Sequence, residues 1–192
     1  MFQSDARSIE ASSSVLVVID VQKKMTAAIN SDPPEEIIAR IEKLVRAAAI
    51  LEIPILCTEQ YPAGLGETDD GLRSTLATAG ARRDPIIKNT CSCWRDETFR
   101  LALQQSGREH VILAGMETHV CIQQTALDLL RVDYATFIAA DACGSRRLRD
   151  ATIALNRMAS AGAAVTSTES IIFEWIERCD HPRFKDIIKL VK

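Results

Sequence analysis

The chain has 192 residues, of which 47% are hydrophobic and 26% charged, and its formal net charge is −3. This is the balance of one water-exposed globular domain, with enough chain for a sizeable core. Nothing in the charge marks a surface for nucleic acid or an anionic membrane, and apolar runs such as Val15–Ile19 are too short to span a bilayer.

Residues 1–13 lack a basic start followed by an apolar stretch, so they read as a flexible polar lead-in rather than a secretory signal. The domain proper runs from residue 14 to 192. Ser14–Asp20 is an apolar run ending in a carboxylate, the pattern of a strand buried on both faces. The stretch SDPPEEIIARIEKLVRAAAILE predicts a helix. Ser31 or Asp32 is placed to cap it, proline opens it, and Ile37, Ile41, Leu44, Val45 and Ala48 trace one face. Ile53–Glu59 is the next strand, and QYPAGLGETDDG is a loop by its proline and glycine content.

Pro85–Asn89 predicts a brief strand, and RDETFRLALQQSG a helix that Gly107 ends. His110–Gly115 is a further strand, followed by a helix from His119 to Leu130. Tyr134–Ala142 is a strand, RRLRDATIALNRMASAG a helix closed by Gly162, and AAVTS a last short strand. Thr168 caps the helix TESIIFEWIERC, and HPRFKDIIKLVK forms a short amphipathic tail. Strands alternating with helices at this spacing predict one α/β domain with a parallel sheet of about six strands, covered on both faces.

The six cysteines do not pair into a zinc or disulfide pattern. Cys57 and Cys143 fall in or beside apolar runs, and Cys91 and Cys93 form C-x-C with no second pair at zinc spacing. Free thiols and a cytoplasmic location are therefore expected.

In an open parallel sheet, ligands bind beyond the carboxyl ends of the strands, where the connections reverse direction. Asp20, Glu59 and Lys88 close the first three strands, and Cys121 lies just past the fourth. If the sheet restarts beside its first strand, Asp20 and Cys121 face each other and Lys88 reaches in from the side. Each alone is an ordinary structural residue; placed together they fit one chemistry. A helix N-terminus and a nearby ammonium favour a thiolate, and an aspartate can take and return a proton. Backbone N–H groups in GMETHVC could hold a developing oxyanion, with Gly115 permitting the tight turn.

The motifs LVVIDVQ, IIKN and LAGMETHVCI, in this order and spacing, resemble the isochorismatase-like cysteine hydrolases. The stretches TEQYPAGLGET and ESIIFE…HPRFK are similar to the isochorismatase domain-containing subgroup. The resemblance runs from Val15 to the C-terminus. It implies a Rossmann-like, three-layer α/β/α sandwich around a six-stranded parallel sheet. It also implies a catalytic triad of Asp20, Lys88 and Cys121, a cis peptide at Met116–Glu117, and an oxyanion hole from the amides of Glu117 and Cys121.

Nicotinamidases of that family carry a D-x-H…H zinc site after the second strand, but CTEQYPAGLG has no histidine, so no metal and no cofactor is expected. Gly64–Gly66 is not a dinucleotide fingerprint. Gln22, Gln60, Tyr61, Trp94 and His119 are candidate pocket residues; for Trp94 the alternative is core packing, and for His119 a structural hydrogen bond. The reading is a metal-independent hydrolase that cleaves a small-molecule amide through a thioester. Its expected partners are a small substrate and further copies of itself in a homo-oligomer, with no nucleic acid and no membrane. The alternative is a redox-sensing or interaction module that keeps the fold, with Cys91 or Cys93 resolving an oxidised Cys121.

Overall fold

Runs such as Val15–Ile19 have no polar face, so they can only lie in a middle layer covered from both sides. The computed structural model, which describes residues 8–81 and 84–192, places them there. The strands are β1 (Ser14–Ile19), β2 (Ile55–Gln60), β3 (Ile86–Lys88), β4 (His110–Met116), β5 (Ala135–Gly144) and β6 (Ala164–Thr166). All pair in parallel, in the order β3-β2-β1-β4-β5-β6. The sheet grows outward to β3 and then restarts at β4, so the switch point falls between β1 and β4.

Helices α1 (Lys23–Thr26) and α2 (Pro34–Ile50) follow β1, and α3 (Pro62–Leu65) and α4 (Asp70–Thr78) follow β2. Then α5 (Glu97–Ser106), α6 (Gln123–Leu130) and α7 (Leu148–Ser160) follow β3, β4 and β5, and α8 (Thr168–Ile176) and α9 (Phe184–Val191) follow β6. Strand alternation divides the core. Leu16, Val18, Ile112 and Phe137 pack under α2, α4, α8 and α9, through Ile37, Leu44, Leu72, Trp175 and Ile187. Val15, Val17, Val111 and Leu113 pack under α5, α6 and α7, through Phe99, Leu129 and Met158. The result is the isochorismatase-like α/β architecture around a six-stranded parallel sheet.

Several local readings change. Within the expected lead-in Ile9 is buried, its N–H donates to Glu174 Oε2 at 2.8 Å, and Ala11–Ser13 form a 3-10 turn. The part of the lead-in before residue 8 lies outside the described residues. Pro33 occupies the N-cap of α2 with no side-chain cap, because Ser31 Oγ instead accepts the N–H of Ser145 at 3.0 Å. Ser167, not Thr168, caps α8; the Thr168 N–H and hydroxyl both go to Asp141 Oδ1. Helix α4 begins inside the expected loop, capped by Asp69 Oδ1 on the N–H groups of Gly71 and Leu72. The helix expected from His119 starts as a π-turn at Thr118–Ile122 before becoming α6.

Gly115 is the tightest point of the sheet. It pairs with Ile19 across β1 and β4 at φ 130°, and a Cβ there would collide with the Ile19 carbonyl oxygen. Gly115→Ala is therefore expected to cost on the order of 3 kcal/mol or more. Urea titration beside Gly107→Ala, where open space surrounds the glycine, checks this: equal losses would refute the close-approach argument.

Candidate active site

Strand parity decides which strand-end residues share a face. Leu56 of β2 and Ile86 of β3 belong to the core beneath α5, α6 and α7, so Thr58, Gln60 and Lys88 point the same way. Glu59 has the opposite parity. Its Oε1 accepts both the N–H and the hydroxyl of Thr68 at 2.7 Å, which removes it from the strand-end group in which the sequence pattern placed it. Asp20 leaves β1 at φ 51°, in the left-handed region, where a short polar side chain is tolerated better than most.

At the carboxyl edge, Lys88 Nζ lies 2.6 Å from Asp20 Oδ2, and both side chains are wholly excluded from solvent. The ammonium also donates to Gln60 Oε1 at 2.7 Å, with the carbonyl oxygens of Thr90 and Cys91 at 3.2 and 3.4 Å. Its three N–H bonds are thereby committed to the protein. Burial works against the charged lysine, but Cys93, Asp20 and Cys121 around it hold its pKa above the ordinary lysine range. The other carboxylate oxygen, Asp20 Oδ1, accepts the Thr58 hydroxyl at 2.7 Å.

Cys121 is buried in the π-turn after β4, near enough to Asp20 and Lys88 for both charges to act on its thiol. Burial, followed by the Asp20 charge, pushes its thiol well above the ordinary range, and the opposing pull of Lys88 does not offset them. The lysine favours the thiolate only weakly, because its charge is already matched by Asp20. Cys93, which the sequence named only as a resolving partner in the redox alternative, is buried beside it with its sulfur 4.0 Å from Thr58 Oγ1. Thr58 was missed as well; the signal available was its parity, two residues before Gln60 on the same strand.

The turn before Cys121 contains a cis Met116–Glu117 peptide. The Glu117 carbonyl accepts the N–H groups of Val120 and Ile122 at 3.1 and 3.2 Å, and its carboxylate is held by the N–H and Nε of Arg146, each at 3.0 Å. His119 Nδ1 is 3.0 Å from Ser145 Oγ, the structural bond weighed for it above. Gln22 is fully buried and spent on the backbone: Nε2 donates to the carbonyls of Gln60 and Gly66, and Oε1 accepts the Gln60 N–H. It clamps the loop after β2. Tyr61 is 58% exposed at the mouth of that loop, with its N–H on the Lys88 carbonyl. Trp94 does not wall the site. It stacks edge-on against Tyr134 at 5.7 Å and lines a groove of about 630 Å³ with Arg108, Glu109 and Asp133, where β4 and β5 begin.

Among the described residues, no group of three His, Cys, Asp or Glu side chains is placed to hold a metal ion, and no helix is long and apolar enough to cross a membrane. The hydroxyls of Ser92 and Thr118 are buried there without a protein partner.

A buried acid, amine and thiol thus meet at the switch point of a parallel α/β sheet. The family model "Isochorismatase domain" matches residues 14–170, and the chain belongs to that family. It is 36% identical over 180 residues to mouse isochorismatase domain-containing protein 2A, covering 94% of this chain and 83% of that protein. It is 38% identical to salmon isochorismatase domain-containing protein 1, covering 93% of this chain but only 60% of that longer protein. Among solved structures, the MAR1 ribonuclease of Caenorhabditis elegans superposes with a TM-score of 0.87 at 37% identity, over 96% of this chain and 92% of that one. YcaC of Pseudomonas aeruginosa, solved with hexane-2,5-diol and covalent acrylamide, superposes at 0.88 with 22% identity over 99% and 93% of the two chains and shares the fold.

Removing one partner of a buried ion pair costs about 3–5 kcal/mol, because the other charge is left uncompensated. Lys88→Met is expected to lose that much by urea titration, and the double variant Asp20→Asn/Lys88→Met to regain a good part of it. A double variant no more stable than the single one would refute the coupling. Burial also pushes the thiols of Cys57, Cys93 and Cys143 from the ordinary 9.0 up to about 12. A raised folded-state pKa stabilises below the unfolded value and stops doing so as pH climbs through the folded one. The Tm is therefore expected to fall as pH rises from 9.0 toward about 12, beyond the fall seen in a variant with these three cysteines replaced by alanine.

Proposed function

We propose that the protein is a hydrolase that uses Cys121 as its nucleophile, rather than a metal-bound water, and cleaves a small-molecule amide through a thioester. The observation that carries this is the buried Lys88–Asp20 pair, 2.6 Å apart, set against the Cys121 thiol at the carboxyl edge of the sheet. The thiol rests protonated, so attack requires a base in contact with it, and Asp20 is that base. As sulfur bonds to the carbonyl carbon, the S–H proton passes to Asp20 and the carbonyl oxygen takes the negative charge. The amides of Glu117 and Cys121 hold that oxyanion. The C–N bond then breaks, Asp20 returns its proton to the departing nitrogen, and an acyl-Cys121 thioester remains. Water attacks the thioester with Asp20 again accepting a proton, and sulfur recovers it as the acid leaves.

Lys88 acts through charge rather than as a substrate donor, since its N–H bonds are committed. It is the counter-charge of Asp20 and steadies the negative charge as sulfur attacks. Gln60, which aims its oxygen at the ammonium, orients Lys88. The unpartnered Thr118 hydroxyl, beside the turn, is a donor or acceptor for a polar substrate.

A second reading follows from the Caenorhabditis elegans relative, whose name is that of a ribonuclease. In-line cleavage of RNA calls for groups that move protons on both sides of a phosphorus and for cations on its oxygens. The ammonium here is buried and fully engaged, so the amide reading is the better supported. Ready peroxide sensing is also disfavoured, because the thiolate is the form that oxidises and this thiol is held protonated. We place the protein in a reducing, cytoplasmic setting, consistent with six free cysteines. We also propose a homo-oligomer: Leu148 and Ile153 of α7 are 60% and 56% exposed, and the related Escherichia coli YcaC is an octamer.

Intact-mass spectrometry after separate exposure to a panel of small amides, to single-stranded RNA and to peroxide discriminates these readings. A transient acyl adduct on Cys121 with amide turnover is expected, and Cys121→Ala is expected to lose turnover on the order of a thousandfold. Full amide turnover by Cys121→Ala would sink the mechanism, and RNA cleavage that needs Cys121 would replace it.

A further inference from the structure

We propose that Thr58 is the positioning residue of this site: its hydroxyl, itself oriented by the Cys93 thiol, fixes the plane of the Asp20 carboxylate for proton transfer. This rests on the cysteine-hydrolase reading and extends it to a pair of residues with no direct part in the chemistry.

The donor directions follow from what each group can do. An ionised carboxylate only accepts, so the single hydrogen of Thr58 Oγ1 is committed to Asp20 Oδ1 at 2.7 Å. The Thr58 oxygen is then left as an acceptor, and the Cys93 sulfur 4.0 Å away is the donor. The Cys93 end is pinned in turn, its N–H donating to Thr125 Oγ1 at 2.9 Å. The chain Cys93 S–H, Thr58 O–H, Asp20 carboxylate therefore runs in one direction through fully buried groups. With Oδ2 on Lys88 and Oδ1 on Thr58, the carboxylate cannot rotate, and its remaining lone pairs keep one aim.

The hydroxyl is not required to hold the strands together. The Asp20 N–H already donates to the Thr58 carbonyl at 3.1 Å, and Ile19 pairs with Thr58 in the sheet register. A valine would fill the same space. What it would lack is the hydrogen on Oδ1. Asp20 needs that restraint because it sits at φ 51°, outside the regular strand conformation that would otherwise orient it.

The test uses 4-nitrophenyl acetate as acyl donor and follows the acetyl group on Cys121 by peptide mass mapping. Loss of that group is the step in which Asp20 draws a proton from water. Thr58→Val is expected to slow it about tenfold, and Thr58→Ser, which keeps the hydroxyl, to stay within about twofold of the parent. In an Asp20→Asn background, Thr58→Val is expected to add no further slowing, because its effect passes through the carboxylate. A role in packing alone would predict multiplied effects and no rescue by serine. Should Thr58→Val not fold, Thr58→Ala provides the same comparison, with folding checked by thermal denaturation. If acetylation never maps to Cys121, or Asp20→Asn leaves its loss unchanged, the hydrolase reading fails and takes this inference with it. If Asp20→Asn slows the loss and Thr58→Val does not, or the two effects multiply, only the role of Thr58 is overturned.

Discussion

A lysine and an aspartate with no access to water govern the rest of this structure. Lys88 and Asp20 are 68 positions apart in sequence and 2.6 Å apart in space. Withdrawing both charges from water costs several kcal/mol each, and their attraction offsets this only if the remaining hydrogen-bonding capacity is also met. It is met by Gln60 and two main-chain carbonyls on the lysine side and by Thr58 on the aspartate side. That arrangement requires β3, β2 and β1 to be consecutive neighbours in register, so the order of the sheet and the electrostatics of the site are one constraint.

The pair also sets the state of the nearby thiol. A free ammonium beside a thiol would favour the thiolate by its charge; an ammonium already matched by a carboxylate does so far less. Buried and facing a negative charge, Cys121 rests as a thiol. In the proposed mechanism such a thiol becomes a nucleophile only when a substrate arrives, through a fixed base, and no reactive anion is kept exposed to every electrophile and oxidant. The deeply buried Cys93 follows the same logic in the proposed relay, as a neutral donor toward Thr58.

The turn that carries Cys121 depends on a backbone contact rather than on charge. Gly115 brings β4 against the carbonyl of Ile19, one residue before Asp20, so the position that lacks a side chain lies beside the residue that carries the buried carboxylate. Glu117 and Arg146 then tie the turn to the end of β5. The isochorismatase domain family match spans residues 14–170, which contain all of these elements.

Much of this was legible without coordinates. Continuous apolar runs such as Val15–Ile19 require a middle layer, the alternation of strands and helices requires a parallel sheet, and residues that end strands of such a sheet collect at one edge. Asp20, Lys88 and Cys121 could be named on that basis, because strand ends are periodic features of a linear pattern. What the sequence could not decide was direction and pairing. Glu59 and Lys88 both end strands, yet one faces away; Gln22 and Trp94 are near the site in sequence, yet one is consumed by the backbone and the other lies where strands begin. Thr58 and Cys93 carry no motif and acquire their roles only from neighbours brought in by other strands. The charge state of Cys121 was likewise a tertiary outcome, because a pKa reflects the sum of burial and surrounding charges, and both exist only once the sheet has closed around them.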